Sequence, residues 1–363
     1  MRVRAVGIAC AAACVVLGPR PFPAGEAPPA KYRLDVKALF QEPEAIRDQA
    51  GKTILTRRAV GHPVAWDFNG DGKKDILLGC HRNMDTVAAE ILVLENVGTK
   101  REPRFQWPTR KAVCLEKAQR GFSVSCGCKS GGTFEVHPVD YNGDGHFDLV
   151  VNTYWQTDGV RVLLNTGESR TAPTFTRGEV LHQIASHGRR SGGGDWTGDG
   201  VADFVFPVNH YGWAVHPGVR DGRRVTFAGK PALTSGKFKI VGGKRWFDYS
   251  PHAWNFSGRR PTGGNEVEII AANDDPASRE KPFSEKRTNL EMFVLDRQAG
   301  TVAPVGRLWS VPAAYARMSI GDLNDDGCID LLTAGGVFTR GQDTKIWVLY
   351  GKVKNTPPKP PAK

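Results

Sequence analysis

This chain of 363 residues has no apolar run long enough to cross a bilayer. The leading candidate, Ala5–Leu17, falls short of the roughly 20 residues that a spanning helix needs. It follows Arg2 and Arg4 and gives way to small residues and prolines by Gly25, so residues 1–25 read as a secretory signal. Ala11-Ala12-Ala13-Cys14 lacks the leucine of a lipoprotein cleavage site, and lipid anchoring is not expected. Catalytic fingerprints are missing as well. No G-x-S-x-G, H-E-x-x-H, phosphate-binding or dinucleotide-binding motif stands where a strand and a helix would support it. Cysteine is scarce beyond the signal: Cys80, Cys114, Cys126, Cys128 and Cys328, an odd number that leaves at least one free thiol. Cys126 and Cys128 lie too close to Cys114 and to each other for a zinc site. A disulfide from either to Cys80 or Cys114 is compatible with export.

What is present is a nonapeptide that occurs four times: Asp67 to Asp75, Asp140 to Asp148, Asp195 to Asp203 and Asp322 to Asp330. Position 1 is Asp67, Asp140, Asp195 or Asp322. Position 3 is Asn69, Asn142, Thr197 or Asn324, and position 5 is Asp71, Asp144, Asp199 or Asp326. Position 9 is Asp75, Asp148, Asp203 or Asp330. Position 7 (Lys73, His146, Val201 or Cys328) offers only its backbone carbonyl. Hard oxygens at this spacing, with glycine at position 6 for a sharp turn, suit Ca²⁺, and up to four ions are expected. A metal-free Asn-Gly or Asp-Gly hairpin turn would explain one copy, but not four with the same ligand spacing. The ions are read as structural staples. A catalytic metal needs an open position and a neighbouring acid–base group, and neither shows.

Position 12 separates these loops from an EF-hand. Leu78, Val151, Phe206 and Thr333 stand where the bidentate glutamate would be. Short apolar runs follow each loop instead, so the loop joins strand to strand. The copies begin 73, 55 and 127 residues apart, which leaves room for a degenerate copy in the last gap. Trp254-Asn255-Phe256-Ser257-Gly258 fits there; it has lost the carboxylates, and no metal is expected at it. A second strand follows each run. In the first two units Asn96-Val97-Gly98 and Asn165-Thr166-Gly167 then lead to Pro103-x-Phe105 and Pro173-x-Phe175. Four short strands in roughly 60 residues are the content of a propeller blade. The chain is therefore expected to be all-β, a β-propeller of about five four-stranded blades, with six or seven as alternatives. Residues 51–352 would form it, after a Pro-rich linker and N-terminal segment (26–50) and before a Lys/Pro tail (353–363). Lys52–Arg57 is expected to supply the fourth strand of the last blade and so close the ring. Through the D-x-N-x-D-G-x-x-D loops and the N-x-G…P-x-F turn, the chain resembles the FG-GAP/VCBS repeat family over about Ala59 to Gly351. That family's loops resemble those of the integrin α-subunit propeller. The resemblance implies calcium-loop blades and a role in adhesion or carbohydrate binding, with some polysaccharide lyases in the family.

Strand direction places the start of the first strand and the end of the second on the face opposite the loops. His62, Glu135, Arg190 and Arg317 each stand five residues before a loop. His81 and Arg82, Tyr154 and Trp155, and His210, Tyr211 and Trp213 follow the second strands. Together they are candidate ligand-binding residues around a channel mouth, of the types that suit sugars. Ordinary rim packing is the alternative. Net charge is +11 even though 13 of the 38 carboxylates lie in the loops, so the remaining surface is strongly basic. That favours a polysaccharide or cell-surface protein as partner. Nucleic acid is not expected for an exported chain without a recognition motif. The expected function is a binding or adhesion module. The alternative is a polysaccharide lyase using His81, His210, Tyr154 and Arg82.

Overall fold

The computed structural model describes residues 38–56, 58–83, 90–109, 111–112, 134–153, 160–181, 191–209, 212–234, 238–240, 252–255, 266–278, 280–336 and 344–352. These form an all-β, five-bladed propeller, as the loop spacing predicts. The first blade is Arg58–Trp66, Asp75–Asn83, Glu90–Leu94 and Lys111–Ala112, each antiparallel to the next. The second is Phe134–Val139, Asp148–Thr153, Val160–Asn165 and Phe175–Val180. In the third, Gly192–Gly194, Asp203–Asn209, Gly212–His216 and Leu233–Thr234 follow in order, with an extra hairpin, Gly218–Asp221 and Arg224–Phe227, before the outer strand. The fourth is His252–Asn255, Glu266–Asp274, Thr288–Asp296 and Thr301–Val311. Its first two strands pair antiparallel as the degenerate unit predicts; the connection 256–265 lies outside the described residues.

The last blade, Ala314–Gly321, Asp330–Gly336 and Thr344–Leu349, takes its outer strand from the N-terminal segment. Leu55 and Thr56 pair with Lys345 and Thr344, as expected. Glu44 and Ala45 extend the same edge on Val348 and Trp347. The closing strand is thus composite, and residues 47–53 loop out of it. This loop grips the first blade. Arg47 O accepts the Phe105 N–H at 3.0 Å, and the Gln49 amide exchanges hydrogen bonds with the Trp107 backbone at 3.0 and 3.1 Å. Sequence reasoning found the closing strand but not this buckle, because its contacts lie over fifty residues away.

The core sits between blades. Alternate residues of each strand face the blades on either side, and five apolar clusters fill the five junctions. Val64, Leu77 and Ile91 meet Val136, Leu149 and Phe175 between the first and second blades. Val150 and Val162 meet Phe204 and Phe206 at the next junction, and Trp196 and Trp213 meet Ile269 and Phe293 at the third. Ile270 and Met292 meet Met318 and Leu331, and Leu332 and Ile346 meet Ile76 and Leu78. The last junction closes the ring. Near the axis the Gly192–Gly194 strand lets the third and fourth blades pair in parallel at Gly193 and Trp254, a backbone approach that side chains would obstruct. Among the described residues no helix is long and apolar enough to cross a membrane.

Candidate functional site

The four loops share one hydrogen-bonding scheme. The first-position Asp accepts the N–H of the sixth-position glycine: Gly72, Gly145, Gly200 and Gly327, at 2.9, 3.0, 2.9 and 2.9 Å. The fifth-position Asp accepts the seventh N–H through Oδ1, at 2.7 to 2.9 Å in all four. Asn69, Asn142 and Asn324 each accept the N–H two residues on. Such turns demand left-handed backbone. The sixth-position glycines have φ of 82 to 90°, and the fourth position is also left-handed, with Asp325 at φ 55° where the other loops have glycine. Asp tolerates that conformation better than most residues, so the departure from glycine does not alter the turn.

The ninth-position Asp has a second employment that its ligand spacing did not reveal. Each is buried, and each joins its loop to the next hairpin. Asp75 accepts the Phe68 and Asn96 N–H groups at 3.0 and 2.7 Å. Asp148 takes those of Tyr141 and Asn165, Asp203 those of Trp196 and Gly218, and Asp330 those of Leu323 and Gly351. Burial pushes these carboxyls up, against the backbone N–H groups that favour the anion: Asp75 and Asp203 to about 6 and Asp330 to about 7, with Asp148 also raised. Among the described residues no three His, Cys, Asp or Glu side chains are grouped as a metal ion would hold them. A loop that turns its ninth carboxylate to the backbone offers two carboxylates and an amide or hydroxyl oxygen. Asp67 bears on whether those suit a cation. Its Oδ1 is buried without a hydrogen-bond partner, a carboxylate oxygen left for a positive ligand.

The candidate ligand residues divide. Arg190, Tyr154, Trp155, His210 and Tyr211 lie outside the described residues, and so do the side chains of His81 and Arg82. Trp213 is fully buried, packed on Trp196 and Phe238 at ring separations of 5.6 and 5.7 Å. His62, Glu135 and Arg317 do converge, inside the ring. The Arg317 Nε lies 3.1 Å from Glu135 Oε1, joining the fifth and second blades. Asn152 Nδ2 donates to Glu135 Oε2 at 3.3 Å, and so does the Ser191 N–H from the third blade. The Val136 N–H donates to His62 Nδ1 at 3.1 Å, His137 Nε2 lies 2.9 Å from Ser191 Oγ, and the two imidazoles are 5.4 Å apart.

Four blades therefore meet in one buried polar cluster. Burial raises the Glu135 carboxyl against the pull of Arg317. It also lowers both histidines, His137 to about 3, with His137 and Arg317 adding to the effect at His62. Neutral imidazoles and an ion pair are what a water-poor axis permits. Sequence reasoning missed His137 and Ser191. The one signal was the glycine run after Ser191, which marks close backbone approach.

No family model matches the chain, and no curated protein matches it. Among solved structures it is similar to a mannose phosphorylase from Leishmania mexicana, with 12% identity, 88% of this chain and 94% of that one covered, and a TM-score of 0.34. It is also similar to the tail fiber of Staphylococcus aureus phage P68, with 8% identity, 86% and 53% covered, and a TM-score of 0.34.

Proposed function

We propose that this chain is an exported, calcium-stabilised propeller of the FG-GAP/VCBS kind, whose face opposite the loops binds a carbohydrate or a protein without turning it over. The observation that carries the cation reading is the Asp67 Oδ1, a buried carboxylate oxygen lacking a partner, in a loop whose turn recurs three more times. In the first loop Asp67, Asn69, Asp71 and the Lys73 carbonyl would hold Ca²⁺, and the corresponding residues would do so in the others. Asp75 and its equivalents could join them, since a carboxylate oxygen that accepts one N–H keeps a second lone pair. Bound Ca²⁺ offsets the charge of three or four carboxylates in each turn, and millimolar extracellular calcium fills even weak loops.

The candidate ligand residues that converge inside the ring are committed to one another and serve neither binding nor turnover; the assay below separates the binding reading from the lyase. Glu135 and Arg317 are an ion pair, and His62 is buried beside them. A basic exterior draws acidic partners.

Chelation tests the first half. A ligand bound only by the folded state at a hundred times its Kd stabilises it by about 2.7 kcal/mol per site. EGTA is therefore expected to lower the melting temperature by several degrees, with calcium found by elemental analysis before treatment. Unchanged melting together with no bound calcium would refute the cation reading. For the second half, a glycan array is paired with an unsaturated-uronate absorbance assay. Binding without product is expected; steady product formation would establish the lyase instead.

A further inference from the structure

The first loop differs from the others at its seventh position. Lys73 puts an ammonium there, whereas the other loops have His146, Val201 and Cys328. The side chain does not extend into solvent. Its Nζ donates to Asn96 O at 2.5 Å, lies 3.4 Å from Gly98 O, and approaches Asp71 Oδ2 to 3.3 Å. The two carbonyls belong to the N-x-G turn after the third strand of the blade, so a fixed piece of backbone holds the charge over the loop. A second ammonium, Lys100, stands 3.6 Å from where a side chain on Gly72 would begin. Within its nine residues the first loop sets Lys73 and Lys74 against three Asp residues; the fourth has four Asp residues and no Lys, and meets Lys100 from outside, 3.4 Å from Asp325 Oδ2.

We propose that Lys73 is a built-in competitor for the cation of the first loop, and that it holds the affinity of that site about tenfold below what the loop's own oxygens would give. This rests on the calcium reading above. The physical reason is simple. A unit charge kept 3.3 Å from one ligand oxygen repels any divalent ion that the oxygen takes. The repulsion amounts to about a factor of ten even with the screening of water. The Asp67 Oδ1 remains unpartnered beside it, so the ammonium weakens the site without occupying it. The first loop is then the one whose occupancy changes as calcium varies around its weakened affinity.

Equilibrium dialysis of the chelator-treated chain against graded CaCl₂ tests this, with wild type compared with Lys73→Met and Lys73→Gln. Glutamine keeps a donor for Asn96 O without the charge, so a fault in folding caused by losing that bond shows in one variant and not the other. One site is expected to bind about tenfold more tightly in both variants, the remaining sites staying unchanged. Adding Asp67→Asn is expected to remove that same site. Isotherms that overlay wild type while calcium binds would overturn the competitor and leave the calcium reading standing. No binding by any of these proteins at millimolar calcium would overturn both.

Discussion

Replacing Arg317 with methionine keeps most of the side-chain stem but removes the cation that faces Glu135. Glu135 is 1% exposed and Arg317 5%, so neither charge can turn to solvent without opening the axis. Asn152 and the Ser191 N–H stay on Glu135 Oε2, but Oε1 loses its ionic partner. Breaking a buried pair by removing one member costs about 3–5 kcal/mol, most of it the penalty of the charge left behind. In a domain of this size 1 kcal/mol shifts the melting temperature by about 2 °C, so a fall of about 6–10 °C is expected at pH 7.5. The deficit has a defined pH dependence. Without Arg317 the folded-state pKa of Glu135, already raised by burial, rises further. A raised carboxyl favours the folded state at low pH and loses that advantage as pH climbs through the folded value. The deficit of Arg317→Met against wild type is therefore expected to shrink between pH 7.5 and 5. Adding Glu135→Gln, which keeps an acceptor for Ser191, is expected to restore at least half of the loss. Scanning calorimetry of the four members of the cycle at both pH values is the assay. A variant melting within 2 °C of wild type at pH 7.5, or an equal deficit at both pH values, would refute the buried-charge account.

The remaining predictions address ring closure and the histidines. Ile54 is fully buried at the junction of the last and first blades, so Ile54→Ala is expected to cost about 2–5 kcal/mol. Protease cleavage is expected to speed up first within residues 38–56. Cleavage and melting like those of wild type would show that the composite strand does not hold the ring. His137 is pushed down to about 3 by burial, so it favours the folded state above the unfolded pKa near 6.5, and that stability is lost as pH falls from there toward 3. His137→Gln reaches the Ser191 hydroxyl with an amide that does not titrate. Its melting temperature is expected to fall less steeply than that of wild type between pH 6.5 and 4.5, and parallel curves would count against a buried neutral imidazole.

The loops were legible because their chemistry is local. Asp67, Asn69, Asp71 and Gly72 specify a turn through bonds no more than five residues long. The apolar runs after Asp75, Asp148, Asp203 and Asp330 announce strands whatever surrounds them. Spacing then gave the blade phase, the degenerate unit around Trp254 and the closing strand at Leu55 and Thr56. The candidate ligand ring was legible only as a list of polar residues at one offset. His62, Glu135 and Arg317 share that offset, and the sequence could not say whether they face a ligand or one another. Trp213 shows the same ambiguity: an aromatic after a second strand suits a sugar and suits a blade junction, and its neighbours Trp196 and Phe238 decide for packing.

The sequence alone determined the four acidic turns and the strands they join, since each depends on residues that are neighbours along the chain; the ring itself selected five blades over the six or seven the spacing also allowed. Tertiary structure decided which distant groups meet. Closing five blades on one axis brings Glu135 to Arg317 and Ser191, and strand pairing within each blade turns the ninth-position carboxylate onto the next hairpin. Burial then sets their charge and their partners. Burial belongs to the closed ring, because no single blade can remove its own inner strand from water.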